Sequence, residues 1–133
     1  MIGGLHHVGI AVDDLDGAVE RYRRTLGIEP VHRERVDDQG VDEVLFDVDG
    51  GAIQLLGALG PDTPVGRFLS RRGPGLHHVA VVVEDVGSAL ERLRRDGIAL
   101  VDEVPRRGSR GTRIAFVHPN ALGGVLVELV EAP

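Results

Sequence analysis

The stretch Leu5-His6-His7-Val8-Gly9-Ile10-Ala11-Val12 returns 71 positions later as Leu76-His77-His78-Val79-Ala80-Val81-Val82-Val83. The copy extends beyond it, since Asp14/Asp85, Ala18/Ala89, Glu20/Glu91, Arg21/Arg92, Arg23/Arg94 and Arg24/Arg95 are identical at the same offset. Self-similarity on this scale marks one supersecondary unit used twice. Whatever this chain folds into must be built from two matching modules.

The first copy alternates, with Val8, Ile10 and Val12 on one side and His7, Gly9 and Ala11 on the other, which predicts a strand over 6–12. Asp14 then offers an N-cap, and Leu15, Ala18, Val19, Tyr22 and Leu26 recur at helical spacing until Gly27 supplies a left-handed stop. Strands are expected over 28–35, 41–48 and 52–56, separated by turns at 37–40 and 49–51. The second copy predicts a strand over 77–83, an Asp85-capped helix to Arg95 and a stop at Gly97. Strands over 98–104, 112–117 and 124–130 follow, with a loop over 106–111 and a turn over 119–123. The pattern is βαβββ twice. A connector over 59–74 joins modules 1–58 and 75–133, with a short helix opened by Asp62-Thr63-Pro64 and closed before Gly73-Pro74-Gly75. The expected class is α+β, one domain over 1–133, with an open, cleft-bearing mixed β-sheet and the helices outside.

At 133 residues one compact domain is the natural reading. The net charge of −6, with arginines scattered among acids, excludes the basic stripe of a nucleic-acid or anionic-membrane partner. Without cysteine there is no disulfide framework, thiolate metal site or thiol nucleophile. No stretch approaches the roughly 20 apolar residues of a spanning helix, and the opening residues lack a signal-peptide pattern, so a cytoplasmic protein is expected.

Alternation separates the two histidines of each pair. His6 and His77 fall with the larger apolar residues that face the helices, and His7 and His78 point the other way, into the cleft. Glu43 shares the inward face with Val41 and Leu45, because Val44, Phe46 and Val48 form the bulky outward one; a carboxylate there is costly unless something uses it. Gln54 and Glu128 occupy equivalent places in the last strands, each a polar residue in an apolar run. His7, Gln54, His78 and Glu128 thus offer two imidazoles, an amide oxygen and a carboxylate, a donor set for a divalent ion that leaves positions open for a chelating ligand. His6 and His32 read as surface or packing residues, and His118 fits either role.

The chain resembles the vicinal oxygen chelate superfamily (glyoxalase, bleomycin resistance protein, dioxygenase), and within it the methylmalonyl-CoA epimerase family. Beyond the duplicated frame, the residues that carry the resemblance are Asp38-Gln39-Gly40-Val41-Asp42-Glu43, Gly75-Leu76-His77-His78, Arg107-Gly108-Ser109-Arg110-Gly111-Thr112-Arg113-Ile114, Phe116-Val117-His118-Pro119 and Gly123-Gly124-Val125-Leu126-Val127-Glu128-Leu129. His6 stands where that family often has Asp or Asn, and Asn120 where Lys is common. The resemblance implies interconversion of (2R)- and (2S)-methylmalonyl-CoA, a divalent ion held by His7, Gln54, His78 and Glu128, a small-molecule acyl-CoA substrate and a homodimer. Co2+ is the first candidate, with Mn2+, Ni2+, Zn2+ and Mg2+ as alternatives.

It also implies Glu43 as catalytic base, its dry surroundings making it a stronger base than free glutamate. Glu128 is by symmetry the nearest group for the opposite face. The loop with Ser109, Arg110 and Gly111 can offer backbone N–H groups to the substrate. A glyoxalase-type isomerase shares the chelate logic and remains an alternative, as does a metal-free ligand-sequestering protein of the same frame. An extradiol dioxygenase fits less well, because Gln54 would fill a position its facial triad leaves open.

Overall fold

Both long helices begin where a carboxylate can cap them. Asp14 Oδ1 accepts from Gly17 N at 3.1 Å and Asp85 Oδ1 from Ser88 N at 3.0 Å, each satisfying a backbone donor that the first helical turn leaves orphaned. The computed structural model describes residues 2–133. In chain order the elements are β1 (Ile2–Val12), α1 (Leu15–Leu26), β2 (His32–Val36), β3 (Val41–Val48), β4 (Gly51–Ala58), α2 (Pro64–Arg72), β5 (Gly75–Val83), α3 (Val86–Arg95), β6 (Arg106–Arg107), β7 (Arg113–Val117) and β8 (Val127–Glu131). The class is α+β, and βαβββ occurs twice. The residues fall into two compact units, one over 7–77 and one combining 2–6 with 78–133.

In the unit over 7–77 the strands run β2-β3-β4-β1, with β1 parallel to β4 and the other pairs antiparallel. One face packs under α1, where Val12, Leu15, Ala18, Val44, Phe46 and Leu55 are buried together and Tyr22 stacks on Phe46 with ring centroids 6.3 Å apart. Each of the larger of these, Val, Leu or Phe, contributes roughly 1.5–3 kcal/mol by leaving water. The other face carries Ala11, Val41 and Leu56, and α2 covers that part of it through Val65, with Phe68 and Leu69 packed alongside. The connector is therefore built into this unit. Thr63 caps α2, and a Cβ on Gly66 would lie 2.2 Å from the Gly60 carbonyl oxygen, so only glycine lets that turn close.

In the other unit the order is β1-β5-β8-β7-β6, with residues 2–6 supplying the β1 segment. β5 runs parallel to β8, and β7 pairs antiparallel with β8 and β6. Val81, Val83, Val86, Ala89, Leu90, Ala115, Val117 and Leu129 form the core under α3. Ala80, Ile114, Phe116 and Val130 gather on the opposite face.

Several boundaries differ from expectation. β1 begins at Ile2, four residues early. β2 begins at His32, since Pro30 has no N–H to place in a ladder. No strand forms over 98–104: Leu100 makes one isolated bridge to Val117, and the Asp102 carboxylate then takes the Phe116 N–H at 2.8 Å in place of a backbone carbonyl. Pro105 lacks a donor to resume the ladder, so the edge strand forms two residues long at Arg106–Arg107, inside the expected loop. β8 begins only at Val127 because Gly123 and Gly124, at φ 68° and 105°, prolong the turn before it. Among the described residues no helix is long and apolar enough to cross a membrane.

Candidate active site

In the unit over 7–77, register decides which polar residues share a face. Gly9 lies opposite Gln54, Leu45 opposite Gln54, and Leu56 opposite Glu43; residues directly opposite point to the same side, as do residues two apart along a strand. His7, Gln54 and Glu43 therefore occupy the face away from α1, as their alternation predicted. All three are buried, Glu43 completely at 0 % exposure. Gln54 Nε2 donates to Glu43 Oε2. That bond turns the amide oxygen the other way, and among the described residues Gln54 Oε1 is buried without a hydrogen-bond partner. Leaving a buried acceptor unsatisfied costs about 1–3 kcal/mol, which a cation at that oxygen would recover.

The same face holds Glu34, which periodicity alone did not single out, and His32, expected as a surface or packing residue. Glu34 lies directly opposite Glu43, and His32 Nε2 is 2.8 Å from Glu34 Oε1. Donor atoms of His32, Glu34 and Glu43 all lie within 4.8 Å of one another. Alternation of His32, Glu34 and Val36 carried the signal, but only the β2–β3 register shows that it faces Glu43.

In the other unit Glu128 is opposite Ala80 on β5 and Phe116 on β7, which puts it on the face of His78. His78 Nε2 stands 3.2 Å from Glu128 Oε1, both groups are buried, and the Phe116 ring meets the imidazole edge-on at 5.4 Å. The loop between β6 and β7 makes a single tight turn over Ser109–Gly111, in which Arg110 and Gly111 take φ of 55° and 71°. A non-glycine residue held left-handed costs on the order of 1 kcal/mol and marks an over-determined loop. Thr112 holds it by donating Oγ1–H to Ser109 O at 2.7 Å. Ser109 Oγ is buried without a hydrogen-bond partner among the described residues.

His118 takes a structural role: its Nδ1 accepts from Asn120 N at 3.0 Å and caps the turn over Pro119–Leu122. His77 packs edge-on against Phe68 of α2, ring centroids 4.9 Å apart.

His7, His78 and Glu128 are buried residues of the kind that hold a divalent metal ion. Within the unit over 7–77, the orphaned Gln54 oxygen has the chemistry of a metal donor. Imidazole, amide and carboxylate donors suit a borderline divalent ion with ligand positions to spare.

Residues 6–116 match the Glyoxalase/Bleomycin resistance protein/Dioxygenase superfamily. The chain is 38% identical to the ethylmalonyl-CoA/methylmalonyl-CoA epimerase of Cereibacter sphaeroides, covering 98% of this chain and 99% of that protein. The crystal structure of methylmalonyl-CoA epimerase from Mycobacterium tuberculosis is similar with a TM-score of 0.94 and 47% identity, covering 99% of this chain and 89% of that one. A Streptomyces coelicolor methylmalonyl-CoA epimerase variant in complex with 2-nitronate-propionyl-CoA has a TM-score of 0.95 and 39% identity, covering 99% of both chains. The repeated βαβββ frame and the matched span together place the chain: it belongs to the Glyoxalase/Bleomycin resistance protein/Dioxygenase superfamily.

Proposed function

We propose that the protein is a metal-dependent epimerase that interconverts (2R)- and (2S)-methylmalonyl-CoA. The relatives named for that activity and covered over nearly their whole length support the reading. The observation that carries it is the buried Glu43 held by Gln54, a carboxylate with a fixed orientation and no solvent contact. His7, Gln54, His78 and Glu128 are the proposed ligands of one divalent ion within a single domain over 1–133. Co2+ is the first candidate, and Mn2+, Ni2+, Zn2+ or Mg2+ are alternatives. When bound, the ion supplies Lewis-acid stabilisation of the negative charge that develops on the thioester oxygen, worth several kcal/mol.

Inverting C2 requires taking a proton from one face and returning one to the other. Glu43 takes the C2 proton; the Gln54 N–H fixes which of its oxygens is presented. Glu128 returns a proton to the opposite face, for which it must carry that proton as the neutral acid beforehand; because metal ligation would compete with that proton, it is the weaker partner. Burial of Glu43 keeps water from competing for the proton. Ser109, Arg110 and Gly111 bind substrate through backbone N–H groups, and the Ser109 hydroxyl, buried without a hydrogen-bond partner among the described residues, supports a ligand at this loop. The proposed setting is a cytoplasmic homodimer acting on a small acyl-CoA.

The test is proton exchange at C2 of methylmalonyl-CoA in deuterated buffer. The wild-type protein should incorporate deuterium from both epimers, and chelator should suppress it. Glu43→Gln should retain its metal and lose about 10²–10⁴-fold in exchange from at least one epimer. Normal exchange from both epimers in that variant overturns the base assignment, and no exchange in the metal-loaded wild type overturns the epimerase reading.

A further inference from the structure

One cation on the inner face of the second unit has no place in the mechanism above. Arg106 lies opposite Ile114, so its side chain emerges on the face shared by Phe116, Glu128 and His78. Its guanidinium stands over the Phe116 ring at 5.8 Å from the centroid, and the same ring meets His78 edge-on at 5.4 Å. The guanidinium and an imidazole of the proposed metal set therefore pack on the same aromatic ring. Asp102 holds the arm in place. Its Oδ1 is 3.1 Å from Arg106 Nε, while its Oδ2 accepts the Phe116 N–H at 2.8 Å. A single carboxylate thus ties the guanidinium to the β7 backbone. The Arg106 side chain is still 29% exposed, so a ligand can reach it.

The repeat sharpens the point. Leu45 and Phe116 are the register partners of Gln54 and Glu128, which makes Ile114 the counterpart of Glu43 and Arg106 the counterpart of Glu34. At equivalent places one module presents two carboxylates and the other a guanidinium over an aromatic ring. The carboxylate of a malonyl thioester is repelled by carboxylates and attracted by a guanidinium, so of the two modules it is the second that offers it a partner.

Resting on the epimerase reading, we propose that Arg106 recognises the free carboxylate of the acyl group and sets the preference for dicarboxylic over simple acyl thioesters, with Asp102 as its positioning residue. The planar fork of arginine suits a carboxylate, which it can grip with paired hydrogen bonds. The anion concerned is the acyl carboxylate rather than a coenzyme A phosphate, because the phosphates lie a whole pantetheine arm from the thioester and Arg106 packs on the same ring as His78.

The experiment measures binding of methylmalonyl-CoA and propionyl-CoA by calorimetry to metal-loaded wild type, Arg106→Gln, Arg106→Lys and Asp102→Asn, with C2 exchange followed in parallel. Arg106→Gln should weaken methylmalonyl-CoA by about 10- to 100-fold and leave propionyl-CoA within about twofold of wild type, which lacks the relevant contact for it. Arg106→Lys should recover part of the loss, since charge is kept and the fork is not; it also serves if the glutamine variant does not fold. Asp102→Asn should weaken methylmalonyl-CoA by less than Arg106→Gln does and likewise spare propionyl-CoA. An unchanged affinity for methylmalonyl-CoA in Arg106→Gln, or an equal loss for both thioesters, overturns the proposal and leaves the epimerase reading standing. A wild type that neither exchanges the C2 proton nor binds methylmalonyl-CoA better than propionyl-CoA overturns both.

Discussion

Gln54 on β4 donates its side-chain N–H to Glu43 on β3, and the same amide keeps its oxygen buried and unpartnered among the described residues. One side chain thus serves two neighbours of opposite demand. The carboxylate needs a donor, the amide oxygen needs a cation, and satisfying the first fixes the direction of the second. This links orientation of the proposed base to occupancy of the proposed metal set through a single χ-rotor.

That link separates two substitutions at position 54. Gln54→Leu removes both the oxygen and the N–H, and should weaken metal binding at least tenfold while also lowering C2 exchange. Gln54→Glu retains oxygen donors but places a second carboxylate against Glu43, so metal should be kept while exchange falls. Elemental analysis after dialysis against graded chelator reads the first quantity. Wild-type metal affinity in Gln54→Leu would show that the amide is not a ligand.

His78 and Glu128 are buried side by side at 3.2 Å, and a bound ion would add to stability by mass action. Thermal denaturation of the wild type with divalent ion at 100 times its dissociation constant should gain about 2.7 kcal/mol over the chelated protein. His78→Ala should lose most of that metal-dependent gain. If the variant is stabilised by the ion as strongly as the wild type, His78 does not hold it.

The cap of α3 makes a pH-dependent contribution whose sign follows from its hydrogen bonds. Backbone donation from Ser88, the largest influence, with a further backbone bond from Gly87, lowers the Asp85 carboxyl below its ordinary 3.8 against the opposing effect of burial. A group depressed on folding stabilises above its unfolded pKa and loses that contribution as pH falls through the folded one. The wild type should therefore lose stability on acidification from about pH 4 downward more steeply than Asp85→Asn, which still caps but does not titrate. Asp85→Ala should be less stable at neutral pH as well. Denaturant midpoints from pH 7 to pH 2 measure this; parallel acid limbs for wild type and Asp85→Asn would refute it.

Sequence periodicity and the duplication determined a great deal here. Asp14 and Asp85 announce both long helices, since capping is read within three residues of the cap. Alternation separates His7 from His6 and sets Glu43 against Val44, because the side-chain period of a strand is a local property. The repeat pairs Gln54 with Glu128 before any fold is known. In each unit the structure puts these residues on the face predicted for them.

What only the tertiary structure decided depends on register between strands, which no local pattern encodes. His32 reads as a surface or packing residue from periodicity, and only the β2–β3 pairing shows that its partner Glu34 lies opposite Glu43. The edge strand expected over 98–104 moved to Arg106–Arg107 because a side chain, Asp102, took the ladder position that a backbone carbonyl would fill. That displacement is what sets Arg106 over Phe116. Likewise the short helix α2 reads as part of the connector between the modules, and burial of Val65 with Ala11 and Leu56 makes it part of the first unit. Local periodicity tells which face a side chain occupies; its neighbours across the sheet are set by hydrogen bonds between segments distant in the chain.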